Sequence, residues 1–224
     1  MRRVASRVTS KSSPETFRLK TLLSRKFIVP SLIILAILIV AVTLLAPTDR
    51  VLGEATRMVY VHGAIIRVVL GTFLLSGVLG LIYLFSTRPA LVQWSQILLE
   101  TSLLLWLPYL VSATIATLQT WGAIAWFEPR WLVTLQVSVI APVAYVVSLV
   151  VKKPIVTAAL NAIVAAAIFV LTRSAGLVLH PIDPIGTSGN TGIIGSYLVL
   201  LGLCALFALQ VARGLRFWHQ GREA

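Results

Sequence analysis

Long uninterrupted apolar stretches dominate the chain and alternate with short polar segments. Six of them approach the roughly 20 residues that an α-helix needs to cross a hydrocarbon core of about 30 Å. Because the stretches are continuously apolar, they lack the alternation of apolar and polar residues that is typical of the strands of a membrane β-barrel. The sequence therefore predicts an all-α membrane protein, a bundle of six transmembrane helices at residues 28–46, 64–85, 94–118, 132–151, 155–172 and 193–212.

The composition agrees with this class, since 58% of the residues are hydrophobic and only 12% are charged. A soluble domain carries about 25% charged residues. We divide the chain into a basic N-terminal tail at 1–27, a transmembrane domain at 28–212 and a basic C-terminal tail at 213–224. The first helix is expected to be a retained anchor, because its apolar run is longer than that of a usual signal peptide and Pro47 follows it.

The net charge of +12 is unevenly distributed and predicts the orientation. With both termini in the cytoplasm, fourteen Lys and Arg residues fall on the inner side and five on the outer side, as the positive-inside rule requires. The N-terminal tail lacks a nucleic-acid-binding motif, so we expect it to hold topology and contact anionic lipid. These features predict a multi-pass membrane protein that binds no nucleic acid.

The same topology places two histidines and an aromatic loop together on the outer side. His62 lies at the outer end of the second helix, and His180 lies in the loop between the fifth and sixth helices. The aromatic loop, residues 121–131, connects the third and fourth helices. A histidine at a helix end is often structural, and tryptophan is common at membrane interfaces. Their joint placement nevertheless favours a site for a flat apolar ligand that carries iron.

Haem has the chemistry that this set of residues would recognise. Indole faces stack on a porphyrin, imidazole is a common axial ligand of haem iron, and guanidinium groups pair with carboxylates. We therefore predict His62 and His180 as iron ligands and Arg57 and Arg130 as partners of the propionates. Asp183 could orient the imidazole of His180.

Three segments resemble, in order, those of the CcmC-type haem-delivery proteins of cytochrome c maturation, part of the CcmC/CcmF/CcsA haem-handling group. Residues 57–62, Arg-Met-Val-Tyr-Val-His, resemble the segment at the outer end of that family's second helix. Trp121-Gly122, followed by Phe127-Glu128-Pro129-Arg130, is similar to part of its tryptophan-rich loop. Leu179-His180-Pro181 resembles the segment before its last helix. The resemblance covers roughly residues 25–215.

The resemblance implies a non-enzymatic protein of the bacterial plasma (inner) membrane that binds haem b transiently and delivers it outside the cytoplasm during cytochrome c maturation. Implied partners are an extracytoplasmic haem chaperone and the other maturation subunits. The residues implied in haem binding are His62, His180, Trp121, Trp126, Phe127 and Glu128.

Three alternatives remain open at this stage. Arg67 and Glu100 are charged residues inside predicted helices, which suggests a small-molecule or ion transporter. They lie about 15–20 Å apart along the helix axes, so we do not expect them to pair. Residues 123–125, Ala-Ile-Ala, take the centre of the aromatic loop, as in a degenerate, non-catalytic membrane subunit. A weaker alternative is a divalent-metal site formed by His62, His180, Asp183 and Glu128.

Overall fold

The structure, a computed structural model, describes residues 24–124, 126–175, 185–186 and 188–223. These residues form six long helices and no strand, after a short 3₁₀ turn at Arg25–Phe27. All six helices are long and apolar enough to cross a membrane, which confirms the predicted all-α class and the number of long apolar helices. The helices are α1 (Ile28–Leu45), α2 (Ala55–Ser86), α3 (Pro89–Trp121), α4 (Pro129–Val151), α5 (Pro154–Ser174) and α6 (Thr191–Glu223).

Three helices extend well beyond the predicted apolar runs. Helix α2 begins at Ala55, so His62 lies two turns inside the helix and not at its end. Helix α3 ends at Trp121, which places this indole on a helix rather than in the loop. Helix α6 continues to Glu223, whereas the sequence predicted its end at residue 212. The predicted helices were shorter than the observed ones, because polar residues at a helix end lengthen the helix without lengthening its apolar run.

Glycines allow α2 to approach α5 closely. A Cβ atom added at Gly77 would lie 2.2 Å from Cβ of Ala165, and one added at Gly80 would lie 2.6 Å from the carbonyl oxygen of Ala158. Neither position has room for a methyl group. Small residues at helix interfaces permit the backbone contacts that hold transmembrane helices together.

Helix α3 makes side-chain hydrogen bonds with four other helices. Ser95 and Ser76 of α2 each donate to the other's carbonyl oxygen, at 2.8 and 2.6 Å. Asn161 of α5 donates to the Ser95 hydroxyl at 2.8 Å. Two further bonds join α3 to α4, from Trp106 to Ser138 and between Tyr109 and Thr134. This set makes α3 the central helix of the bundle.

Glu100 of α3 is paired with His219 of α6. Glu100 Oε2 lies 2.8 Å from His219 Nε2, and the two side chains are 7% and 40% exposed. Arg67 instead donates to the Tyr197 hydroxyl of α6. Arg67 and Glu100 therefore belong to separate contacts, as predicted, and Glu100 is bonded to a neighbouring helix.

We expect Gly77→Ala and Gly80→Ala each to lower the free energy of unfolding by about 1–3 kcal/mol, because the added methyl group forces α2 away from α5. Thermal unfolding of the detergent-solubilised protein measures the effect. Gly71→Ala is the matched control, since nothing lies within 4 Å of a Cβ atom built there. That variant should be neutral or more stable by up to about 1 kcal/mol. Equal melting temperatures for all three variants would contradict the close approach.

We expect His219→Ala to cost about 1–3 kcal/mol of stability, because it leaves the Glu100 carboxylate buried without its partner. Glu100 Oε1 already has no hydrogen-bond partner among the described residues. His219→Gln keeps a donor near the carboxylate and should stay close to the wild type. The same unfolding assay compares the two variants, and a His219→Ala protein as stable as His219→Gln would disprove the pairing.

Candidate ligand cavity

A cavity of about 660 Å³ opens at the end of the bundle where α2 begins, α3 ends and α4 begins. Its wall is largely apolar and includes side chains from α2, α3, α4 and the start of α6. Ala175 and Ile185, the described residues on either side of 176–184, also line it. The polar and aromatic groups in the wall are Asp49, Thr56, His62, Arg67, Trp106, Tyr109, Thr117, Thr120, Trp121, Glu128, Arg130, Trp131, Thr134, Thr172 and Ser188.

His62 enters the cavity from the second turn of α2 and is half-buried. Its imidazole stacks on the ring of Tyr109 from α3, with the ring centroids 5.3 Å apart and the planes 23° apart. Gly63, the next residue, accepts a hydrogen bond from the Tyr197 hydroxyl at 3.1 Å. The turn of α2 that carries His62 is thus packed against both α3 and α6.

The aromatic loop contributes two of its four large rings to the wall. Trp121 is the last residue of α3, and Gly122 ends the helix in a left-handed conformation with φ of +73°, which glycine adopts without steric cost. Trp131 is buried in the first turn of α4 and lines the cavity. Trp126 is 54% exposed and packs on Trp131 with centroids 5.9 Å apart, while Phe127 is 92% exposed. Neither Trp126 nor Phe127 lies in the cavity wall.

The cationic groups at the cavity differ from the predicted pair. Arg130, one of the two predicted partners of the propionates, lines the cavity, and Arg67 lines it from α2. Arg57 does not line it: its guanidinium forms an ion pair with Glu54 at 2.8 Å and donates to the carbonyl oxygen of Leu44 at 2.6 Å. Arg57 therefore satisfies a carbonyl at the C-terminal end of α1, where the helix has no internal donor.

Tyr60 has a comparable structural role in the connection between α1 and α2. Its hydroxyl donates to the carbonyl oxygen of Pro47 at 2.7 Å. Thr56 donates to Gly53 at 2.6 Å and accepts from the backbone N–H of Asp49 at 3.0 Å. Segment 57–62 thus has two roles. Its Arg57 and Tyr60 hold the end of α1 and the connection at 46–54 in place, and its His62 lines the cavity. The sequence alone does not separate these two roles.

Glu128 is almost completely enclosed, with 3% of its surface exposed. Its Oε2 atom accepts the backbone N–H of Trp131 at 2.9 Å and so caps α4. Its Oε1 atom is buried with no hydrogen-bond partner among the described residues. Glu128 therefore lines the cavity with one carboxylate oxygen engaged in the helix cap and the other enclosed by the protein.

His180 and Asp183 lie outside the described residues, so their predicted roles stay predictions. Among the residues that the structure does describe, no group of three or more His, Cys, Asp and Glu side chains could hold a metal ion. Of the two predicted iron ligands, only His62 lies in the part of the chain that the structure describes.

The groups in the wall that were not predicted from the sequence include Arg67 as a cavity cation, Trp106, Tyr109 and Thr134. Tyr109 sits inside an apolar run, and its role depends on which helix it faces. A weak signal existed, because a tyrosine in a transmembrane segment needs a partner for its hydroxyl.

Comparison with known proteins adds no assignment: no family model, no curated protein and no solved structure matches this chain.

We expect Glu128→Ala to lower the free energy of unfolding by about 1 kcal/mol, because α4 loses the side chain that caps its first turn. Glu128→Gln retains an acceptor oxygen and should keep most of that stability. Thermal unfolding of both variants, with hydrogen exchange at the Trp131 amide, tests the expectation. A protected Trp131 amide in the alanine variant would argue against the cap.

Proposed function

We propose that the chain binds haem at this cavity and delivers it to an acceptor protein during cytochrome c maturation. The observation that carries the proposal is the convergence of His62 from α2 with Trp121 and Trp131 from the ends of α3 and α4. The CcmC-type resemblance supplies the biological setting. In this setting haem is the cargo of the protein rather than a resident cofactor.

The chemistry of the wall supports haem b as the ligand. Pockets for cofactors and drug-sized molecules measure about 300–1,000 Å³ and are mostly apolar, with a few placed polar groups. The cavity has this size and character. His62 offers an imidazole for iron, the two indoles offer faces for the porphyrin, and Arg67 and Arg130 offer positive charge for the propionates.

The second iron ligand in this proposal is His180. Its support is indirect: Ala175 and Ile185, the nearest described residues on either side of it, both line the cavity. Asp183 would orient its imidazole. Trp126 and Phe127 are assigned a different place, the exposed rim of the loop, where the acceptor protein would meet the cavity.

The proposed location is the bacterial inner membrane, with the cavity on the extracytoplasmic face and both termini inside. The two short turns at the opposite end of the bundle carry Arg88, Lys152 and Lys153, which supports this orientation. Pairing of Glu100 with His219, far from Arg67, gives no support to a charged path across the bundle. We therefore favour haem delivery over transport of small ions.

The test is an absorption titration of the purified protein with haem. Wild-type protein should develop a Soret band at a defined stoichiometry, and His62→Ala should weaken binding at least tenfold, which corresponds to about 1.4 kcal/mol. Trp121→Ala should also weaken binding, because the porphyrin loses a stacking face.

His219→Gln is the matched control, since it changes a histidine at the other end of the bundle and keeps a hydrogen bond to Glu100. Its titration should match the wild type. The same affinity in the His62→Ala and wild-type proteins would rule out this site. No Soret shift in the wild type would rule out haem, and metal analysis of that protein would then test the divalent-ion alternative.

A further inference from the structure

Tyr109 joins the His62 imidazole to the first turns of α4. It stacks on His62, lines the cavity and reaches Thr134 on α4. We propose that Tyr109 is a positioning residue, which fixes the plane of the His62 imidazole relative to the aromatic and charged groups at the start of α4. The inference rests on the proposed haem-binding role of His62.

The hydrogen bonds around Thr134 determine which hydroxyl donates in the bond between Tyr109 and Thr134. Thr134 Oγ1 lies 2.8 Å from the carbonyl oxygen of Arg130, which can only accept. A threonine hydroxyl has a single hydrogen, so that hydrogen is used on Arg130. Tyr109 Oη lies 2.8 Å from the same Oγ1 and must therefore be the donor. The bond connects His62, through Tyr109, to the turn of α4 that holds Glu128, Arg130 and Trp131.

Neighbouring rings keep Tyr109 from turning away. Trp106, one turn earlier on α3, packs on Tyr109 with centroids 4.6 Å apart. The Trp106 indole donates to Ser138 at 2.9 Å, and Ser138 donates to the carbonyl oxygen of Thr134 at 2.8 Å. Two parallel links, from Trp106 and from Tyr109, thus hold the same stretch of α4. The phenol is fixed at its hydroxyl end and along its face.

A fixed imidazole matters for a protein that must take up and release haem. An axial ligand that is already oriented loses little side-chain entropy when iron binds, so it binds more tightly than a freely rotating one. The plane of the imidazole also sets the ligand field of the iron. Tyr109 would set both properties without touching the iron.

The variants separate the two parts of the contact. Tyr109→Phe keeps the stacked ring and loses the hydrogen bond, Thr134→Val removes the same bond from the other side, and Tyr109→Leu removes ring and bond. Tyr83→Leu, a tyrosine of α2 outside the cavity wall, is the matched control. Each protein is first compared with the wild type by size-exclusion chromatography and thermal unfolding.

The first measurement uses haem-free protein. Diethyl pyrocarbonate modifies accessible imidazoles, and peptide mass spectrometry gives the rate at His62 separately from the other histidines. We expect Tyr109→Leu to raise that rate several-fold, Tyr109→Phe and Thr134→Val to raise it less, and Tyr83→Leu to leave it unchanged. An unchanged rate in Tyr109→Leu overturns the proposal.

The second measurement uses the haem complex. We expect Tyr109→Leu to weaken haem binding about threefold to tenfold, the range that one aromatic contact supplies. Tyr109→Phe and Thr134→Val should shift the electron paramagnetic resonance g-values of the ferric complex in the same way, and the double variant should shift them no further. Different or additive shifts would contradict the shared hydrogen bond.

The two proposals fail separately. If wild-type protein binds no haem while Tyr109→Leu still exposes His62, the haem function is wrong and the orientation of the imidazole by Tyr109 stands. If haem binds through His62 but neither its affinity nor its g-values respond to Tyr109, the positioning role is wrong and the haem function stands.

Discussion

Hydrogen bonds between side chains of different helices are the interactions on which this bundle depends. Apolar side chains gain little when they leave lipid for another helix, so packing of small residues and interhelical hydrogen bonds must supply the specificity. Helix α3 carries most of these bonds. Its Ser95 binds α2 and α5, its Trp106 and Tyr109 bind α4, and its Glu100 binds α6. The arrangement of α2, α4, α5 and α6 follows from where these residues stand along α3.

The candidate cavity is a consequence of this arrangement. Tyr109 and Thr134 hold α3 against α4 at one end, which brings Trp121 and Trp131 to the same wall. Close contact of α2 with α5 through Gly77 and Gly80 fixes the axis of α2, and His62 is carried on that axis. The same helix contacts that hold the bundle together therefore also position the imidazole and the indoles of the cavity.

The sequence predicted most of the fold, because a membrane-spanning helix requires a long apolar run and six such runs are present. It also predicted that His62 and the 121–131 loop would lie at one end, since alternating helices leave few other arrangements. Arg57 and Arg67 show where this reasoning stops. Both are arginines near the same end of α2, and only the rotation of the helix decides that Arg57 reaches Leu44 while Arg67 faces the cavity. The pairing of Glu100 with His219 could not be predicted, because His219 lies in the part of α6 that extends beyond the apolar run.

The concentration of polar residues on α3 has a consequence for the biogenesis of the protein. Among the six helices, α3 has the least apolar membrane-length stretch and the most buried one. We expect the serines and the carboxylate that stabilise it in the finished bundle to oppose its transfer from the translocation channel into lipid as a single segment. Helix α2, which is synthesised first, would lower this cost, because its Ser76 bonds to Ser95 and its Thr72 accepts from the Ser102 hydroxyl of α3. We therefore expect α3 to enter a membrane together with the preceding helix rather than alone.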